Sequence, residues 1–396
     1  MVRQFVRVLV AALLGLGLTA GSLSAQTITS SSTHAVGPLL QTDSVVTVGP
    51  SAIDKFGMHR LRRAQGAVRG ALLLLPPLGN GFSFFTADDS GNPLRSFAAY
   101  FALRGWEVWG YSPRATGLVA GSCESGAVDC SSMAHWGIQT TIDDAAFIRS
   151  RIAAALPAHR PVLVGGFSLG GMTTIATIDA HPDDYDGAFV LEGALYAENP
   201  AVLALNQGYC AGLEAQLAAG QIYDGQSLPF IRTAIGLGAS NPTAPSPFFP
   251  GLSNHQGMIF LLAVPQIGPL WPTENFIRCA GDVGQDRFFY SEESRVITFS
   301  SFFNDYTDNL TIRDISCSLA GERTFTGNLG AFTGPVYLMG GGVGFAEQNQ
   351  DLVHILGSND VTFNEIAAFG HADHWFTQRH RQRLEGDLDR WLNRVR

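Results

Sequence analysis

The chain has 396 residues, of which 46% are hydrophobic and only 15% charged, enough to bury a sizeable core beneath a sparsely charged surface. A formal net charge of −9, with no cluster of Lys and Arg, argues against nucleic acid or any other polyanion as a partner. The length suits one large α/β domain with an insertion better than one small domain.

The first 25 residues stand apart. Arg3 and Arg7 precede the apolar stretch from Val8 to Leu18, and small residues follow through Ser24-Ala25-Gln26. This is the layout of a secretory signal peptide cut after Ala25, because the apolar core is too short to span a bilayer comfortably. No later stretch reads as a membrane span, so the expectation is an exported protein, periplasmic or extracellular. Export changes the reading of the five cysteines. Cys123 and Cys130 bracket a short loop that a disulfide would close. Cys210 has Cys279 or Cys317 as its partner, which leaves one thiol free. These spacings do not resemble a zinc site.

Short strand-like runs at Thr42 to Val48 and Phe56 to Leu61 come next. Ala71 to Leu75 is a continuous apolar run, read as a buried strand that ends in the tight loop Pro76-Pro77-Leu78-Gly79-Asn80-Gly81. Helical spacing covers Pro93 to Arg104, Trp106 to Tyr111 reads as a strand, and Gln139 to Leu156 as an amphipathic helix. Strand 161–165, helix 170–180 and strand Gly187 to Glu192 follow. Strands alternating with helices predict a mostly parallel sheet with helices on both faces. After Gly193 the alternation stops. Residues 195–330 are rich in Pro, Gly, Phe and Asn, and the βα rhythm resumes only at Pro335 to Met339 and Val361 to Ile366, before a last helix from Arg379. The expected organisation is a core in two parts, 26–194 and 331–396, with 195–330 inserted over the carboxyl edge of the sheet.

The strand ending near Gly165 runs into Gly166-Phe167-Ser168-Leu169-Gly170 and then into helix-compatible residues. A buried strand, a very tight turn and a helix force the central serine into a strained conformation and present its side chain above the sheet edge. A Cβ at Gly166 or Gly170 would collide with neighbouring backbone. That context separates a nucleophile elbow from a chance Gly-x-Ser-x-Gly in a chain with 45 glycines.

The elbow, the loop after Leu75, the segment Gly105 to Gly117 with Arg114, and the late Gly370-His371-Ala372-Asp373-His374 occur in an order that resembles the α/β-hydrolase superfamily. The resemblance covers nearly all of the chain after residue 25 and implies a cap inserted between the sixth and seventh strands of the family's sheet. It implies a serine hydrolase that needs no cofactor and no metal, with Ser168 as nucleophile. A serine hydroxyl attacks only when a base removes its proton. His371 lies in the loop that carries this superfamily's base, with His374 as its rival. The acid departs from the pattern, because Met339-Gly-Gly-Gly-Val-Gly-Phe345-Ala-Glu347 holds no Asp after the seventh strand. Glu192, ending the sixth strand, ranks first, then Glu347, then Asp351. For the oxyanion the elbow implies the N–H of Leu169, and the loop after Leu75 supplies Leu78 as the second donor. The substrate expected is a small apolar ester, on account of the aromatic insertion (Phe230, Phe248, Phe249, Phe260, Trp271, Phe276, Phe302, Phe303). An amidase, peptidase or acyltransferase, or a catalytically silent binding protein, are the alternatives on this fold. Oligomeric state is not legible.

Overall fold

The computed structural model describes residues 26–263, 276–279 and 287–395. The leader at 1–25 and Trp271 lie outside them. Among the described residues one sheet of nine strands runs in the order β1 (Thr27–Val36), β2 (Leu39–Thr47), β3 (Lys55–Arg63), β5 (Trp106–Ser112), β4 (Gly70–Leu75), β6 (Val162–Phe167), β7 (Gly187–Leu191), β10 (Val336–Gly341) and β11 (Val361–Ile366). The first three strands and the β3–β5 pair are antiparallel, and every later pair is parallel. The two-residue strands β8 (Tyr223–Asp224) and β9 (Thr307–Asp308) form a separate ribbon.

The central strands read as unbroken apolar runs because both of their faces are covered. Leu72 and Leu74 of β4 join one cluster with Trp106, Val108, Leu163 and Phe167, while Leu73 and Leu75 join the other with Trp109, Val162 and Val164. This is the period of two expected of a strand. Helices α1 (Ser83–Thr86), α2 (Phe97–Ala102) and, at the chain's end, Gln378–Leu392 contribute to the first cluster. Helices α3 (Ile138–Ala155) and α4 (Leu169–Ala180) contribute to the second. The turn after β5 is held by Arg114, whose Nε and Nη2 donate to the buried Asp144 at 3.1 and 2.8 Å.

Strand β1 was not expected from sequence, and the reason is physical. Its ten residues, Thr-Ile-Thr-Ser-Ser-Ser-Thr-His-Ala-Val, are nearly all exposed and carry no apolar face. The ladder to β2 and hydroxyl pairs such as Ser31–Ser44 (3.0 Å) and Thr33–Thr42 (2.9 Å) hold it instead.

Between β7 and β10 the chain forms α5 (Pro200–Ala218), α6 (Ser227–Ser240), α7 (Asn254–Ala263), α8 (Glu293–Ser300) and α9 (Asn309–Leu319). The Cys210–Cys317 disulfide joins α5 to α9, and Arg295 of α8 donates to Asp89 at 2.8 Å. Cys123 and Cys130 form the second disulfide, leaving Cys279 as the free thiol among the described residues.

A non-reducing peptide map should therefore link Cys123 to Cys130 and Cys210 to Cys317, with Cys279 open to alkylation after unfolding. Because Cys210 and Cys317 are 107 positions apart, replacing both with Ser should cost roughly 2–4 kcal/mol, read as a lowered Tm. A Cys210–Cys279 link in the map would overturn this pairing.

Candidate active site

Strand β6 enters a turn so tight that two of its residues have room only for hydrogen at Cα. A Cβ on Gly166 would overlap Gly170 backbone and Leu75 O, and one on Gly170 would overlap Leu75 O and Pro76 O. Ser168 between them has φ 58° and ψ −123°, with its N–H bonded to Leu191 O at 2.9 Å. Helix α4 begins at Leu169, so the N–H of that residue belongs to the first, unpaired turn that faces the same space. Among the described residues three non-glycines have positive φ, and the third in sequence is Glu192, at 54°. Strain of this kind persists only where the surroundings hold it.

Ser168 Oγ lies 2.9 Å from His371 Nε2. His371 is fully buried five residues beyond β11, stacked on Phe167 at 5.3 Å and flanked by Phe345 at the same distance and Phe276 at 5.5 Å. Its Nδ1 lies 3.4 Å from Glu192 Oε2. The structure thus brings Ser168, His371 and Glu192 into one line.

Glu192, the first of the three acid candidates, is fully buried. Its Oε1 accepts the N–H of Gly341, and its Oε2 accepts that of Phe345 at 3.1 Å. A Cβ on Gly344 would stand 2.5 Å from Oε2. Gly344 therefore leaves room for a carboxylate that comes from the neighbouring strand, while Gly340, Gly341 and Gly342 lie against backbone of the next turn and of the segment after β11. Burial pushes the Glu192 carboxyl above its ordinary range, while His371 and the two backbone N–H groups work against that rise.

The other two acid candidates are engaged elsewhere on helix α10 (Ala346–Val353). Glu347 is exposed and accepts from Asn199 Nδ2 at 2.9 Å, and Asp351 accepts the N–H of Glu198 at 2.8 Å. Asp373 holds the His371 loop to the segment between β7 and β10. Its carboxylate accepts the N–H groups of Gly370 and Arg278, both at 2.9 Å, and the hydroxyl of Ser291 at 2.7 Å. Burial raises this carboxyl to about 6 despite those bonds. Asn80, in the loop after β4, spends Nδ2 on Leu78 O and its backbone N–H on Pro77 O, as a turn residue does.

Sequence reading missed a second Ser-His-carboxylate set, Ser112, His59 and Asp43, at the antiparallel end of the sheet. Ser112 Oγ lies 2.8 Å from His59 Nε2, and His59 Nδ1 lies 2.6 Å from Asp43 Oδ1. Distances alone do not make a nucleophile. Ser112 ends an extended strand rather than an elbow, and its Oγ already accepts the N–H of Phe82 at 3.0 Å. The set fastens the loop after β4 to the sheet. Its signal was legible only as cross-strand register, since His59 pairs with Asp43 and Gly57 with Ser112.

Ser168 and His371 open onto a cavity lined mostly by apolar side chains. Its walls include Leu78 and Phe84 from the core and Leu228, Ile231, Leu261, Leu262, Phe276, Phe299 and Phe303 from the segment between β7 and β10. Asn80, Ser168 and His371 are the polar side chains among its described lining, and no carboxylate, Lys or Arg is among them. Of the aromatic residues that suggested an apolar substrate, Phe276 and Phe303 reach this wall. Phe230, Phe248, Phe249 and Phe260 pack on one another instead, at 5.0 to 6.2 Å.

No family model and no curated protein matches this chain in sequence. Solved structures do resemble it. A candidate lipase from Sulfolobus solfataricus superposes with a TM-score of 0.62 at 16% identity, over 93% of this chain and 100% of that one. A thermostable carboxyl esterase from Bacillus coagulans gives 0.51 at 12% identity, over 90% of this chain and 98% of that one. A soluble variant of monoglyceride lipase from Saccharomyces cerevisiae gives 0.50 at 12% identity, over 94% and 96% respectively. At such identities the likeness is one of architecture, and it agrees with the sheet order and the strand–turn–helix around Ser168: the chain adopts the α/β-hydrolase fold.

Proposed function

We propose that this chain is an exported serine hydrolase that cleaves carboxylic esters of apolar acyl groups through an acyl-enzyme. The observation that carries the reading is the alignment of Ser168 Oγ, His371 Nε2 and the buried carboxylate of Glu192 at the mouth of an apolar cavity. Ser168 attacks the ester carbonyl while His371 takes its proton at Nε2. Glu192 holds the Nδ1–H and stabilises the imidazolium, and the 3.4 Å separation shortens as that charge forms. The oxyanion accepts from the N–H groups of Leu169 and Leu78. His371 then protonates the departing alcohol, and water resolves the ester on Ser168 by the same route.

The segment from about 195 to 330 acts as the cap. Its apolar wall favours an uncharged acyl chain, since a carboxylate or ammonium placed there would lose its hydration with no charged partner among the described lining. Support for export comes from the leader pattern of residues 1–25 and from two disulfides, which persist in oxidising compartments. Among the described residues no helix is long and apolar enough to cross a membrane.

S168A and H371A should each lower kcat for a p-nitrophenyl ester by on the order of 10⁴-fold while the circular dichroism spectrum is retained. Fluorophosphonate labelling should disappear in S168A; an unchanged rate there sinks the reading.

E192Q should lose far more kcat than E347Q or D351N, because the amide keeps the size and gives up the charge that stabilises imidazolium. G344A should resemble E192Q in kcat, as its methyl group displaces Oε2. Should E347Q prove the crippling change, the acid belongs to α10 instead.

Each enclosed acyl methylene contributes up to about 0.8 kcal/mol, so kcat/KM should rise up to roughly fourfold per carbon until the cavity is full. I231F should move the optimum to shorter chains and F303A to longer ones, with labelling of Ser168 little changed. A flat chain-length profile that neither substitution alters means the segment does not select the acyl group. Mass spectrometry of exported protein should find an N-terminus at or near Gln26, and an intact Met1 refutes cleavage.

A further inference from the structure

His374, one helical turn beyond His371, is buried directly behind the proposed acid. It stands in α11 (Asp373–Phe376), fully enclosed, with Nε2 2.8 Å from Glu192 Oε1 at an oblique angle. Its Nδ1 lies 3.1 Å from Nε2 of His380, which belongs to α12 (Gln378–Leu392) and is partly exposed. Phe369 packs edge-on against both rings, at 5.1 and 4.9 Å. The two Glu192 oxygens thus face four groups, Gly341 N–H and His374 on Oε1, Phe345 N–H and His371 on Oε2.

We propose that His374 is a positioning residue for Glu192. Its neutral ring sets Nε2–H obliquely beside Oε1, so that Oε2 faces His371 Nδ1 and the buried carboxyl stays ionised, while His380 fixes the tautomer by donating to Nδ1. The inference rests on Glu192 being the acid. Three observations support it. Burial lowers His374 to about 3 and, with the neighbouring His374, lowers His380 to about 4, so both rings are neutral at ordinary pH. A neutral imidazole has one N–H, and the carboxylate is the acceptor nearest Nε2, so the proton belongs there and Nδ1 must accept. Burial works to protonate Glu192, and each donor aimed at its oxygens opposes that.

The alternative is that His374 only fills space beside Phe369, in which case another flat ring should serve. H374F keeps the ring and loses the donor, whereas H374Q keeps a donor at the position of Nε2. Steady-state kinetics on a p-nitrophenyl ester should show kcat for H374F falling about 10- to 100-fold with KM within about twofold, and H374Q recovering most of the loss. H380F, at a partly exposed position, should lower kcat by roughly threefold to tenfold through the freed tautomer, and it serves if H374F yields no folded protein. Full kcat in H374F, an H374Q as poor as H374F, or an H380F of wild-type rate where H374F does not fold, each overturns the proposal. E192Q measured alongside separates the two levels: if E192Q keeps wild-type kcat, the acid assignment itself is wrong, while a crippled E192Q beside an intact H374F overturns His374 alone.

Discussion

Burying the Glu192 carboxylate is the constraint on which this site depends. A buried charge is costly unless donors surround it, and here the N–H groups of Gly341 and Phe345 and the ring of His371 face it from the loops after β10 and β11, with His374 in close contact behind. The end of β7 must also bend into a left-handed conformation for the side chain to reach that space. Gly344 has no room for a side chain beside this carboxylate.

Ser168 answers to a different constraint, steric rather than electrostatic. Its turn lies so close to the end of β4 that Gly166 and Gly170 have no room for a side chain. The strained serine is therefore held between two parallel strands and a helix, and its Oγ points where His371 can reach it. Comparison with Ser112 makes the point. The Ser112–His59–Asp43 contacts are at least as short, yet that serine sits in relaxed strand backbone and its oxygen is spent on holding Phe82. Geometry around the triad, rather than the triad distances, separates the two.

Segment 195–330 contributes through its walls. Helices α6, α7 and α8 place Leu228, Ile231, Leu261, Leu262 and Phe299 above Ser168, and Arg295 ties α8 back to Asp89. The aromatic residues of this segment divide between wall and core. Phe230, Phe248, Phe249 and Phe260 form a small core of their own, and aliphatic residues do much of the lining. A segment that must fold on top of a sheet needs a core before it can present a wall.

Local patterns determined much of this protein. The apolar runs of β4 to β7, the helix at Gln139 to Leu156 and the strand–turn–helix around Ser168 were legible because each depends on neighbours within a few residues. Strand β1 was not, since it has no apolar period and is held by its partner. The identity of the residue beside His371 was likewise open between Glu192, Glu347 and Asp351. All three carboxylates lie near the ends of adjacent strands, and no local rule distinguishes them. Tertiary structure decided by placing the loop after β10 against the end of β7, so that of the three it is Glu192 that accepts the N–H groups of Gly341 and Phe345 and faces His371. The partner of Cys210 and the contact of His374 with Glu192 were decided the same way. Such choices depend on distances between residues far apart in the chain, and those distances exist only once the sheet has formed.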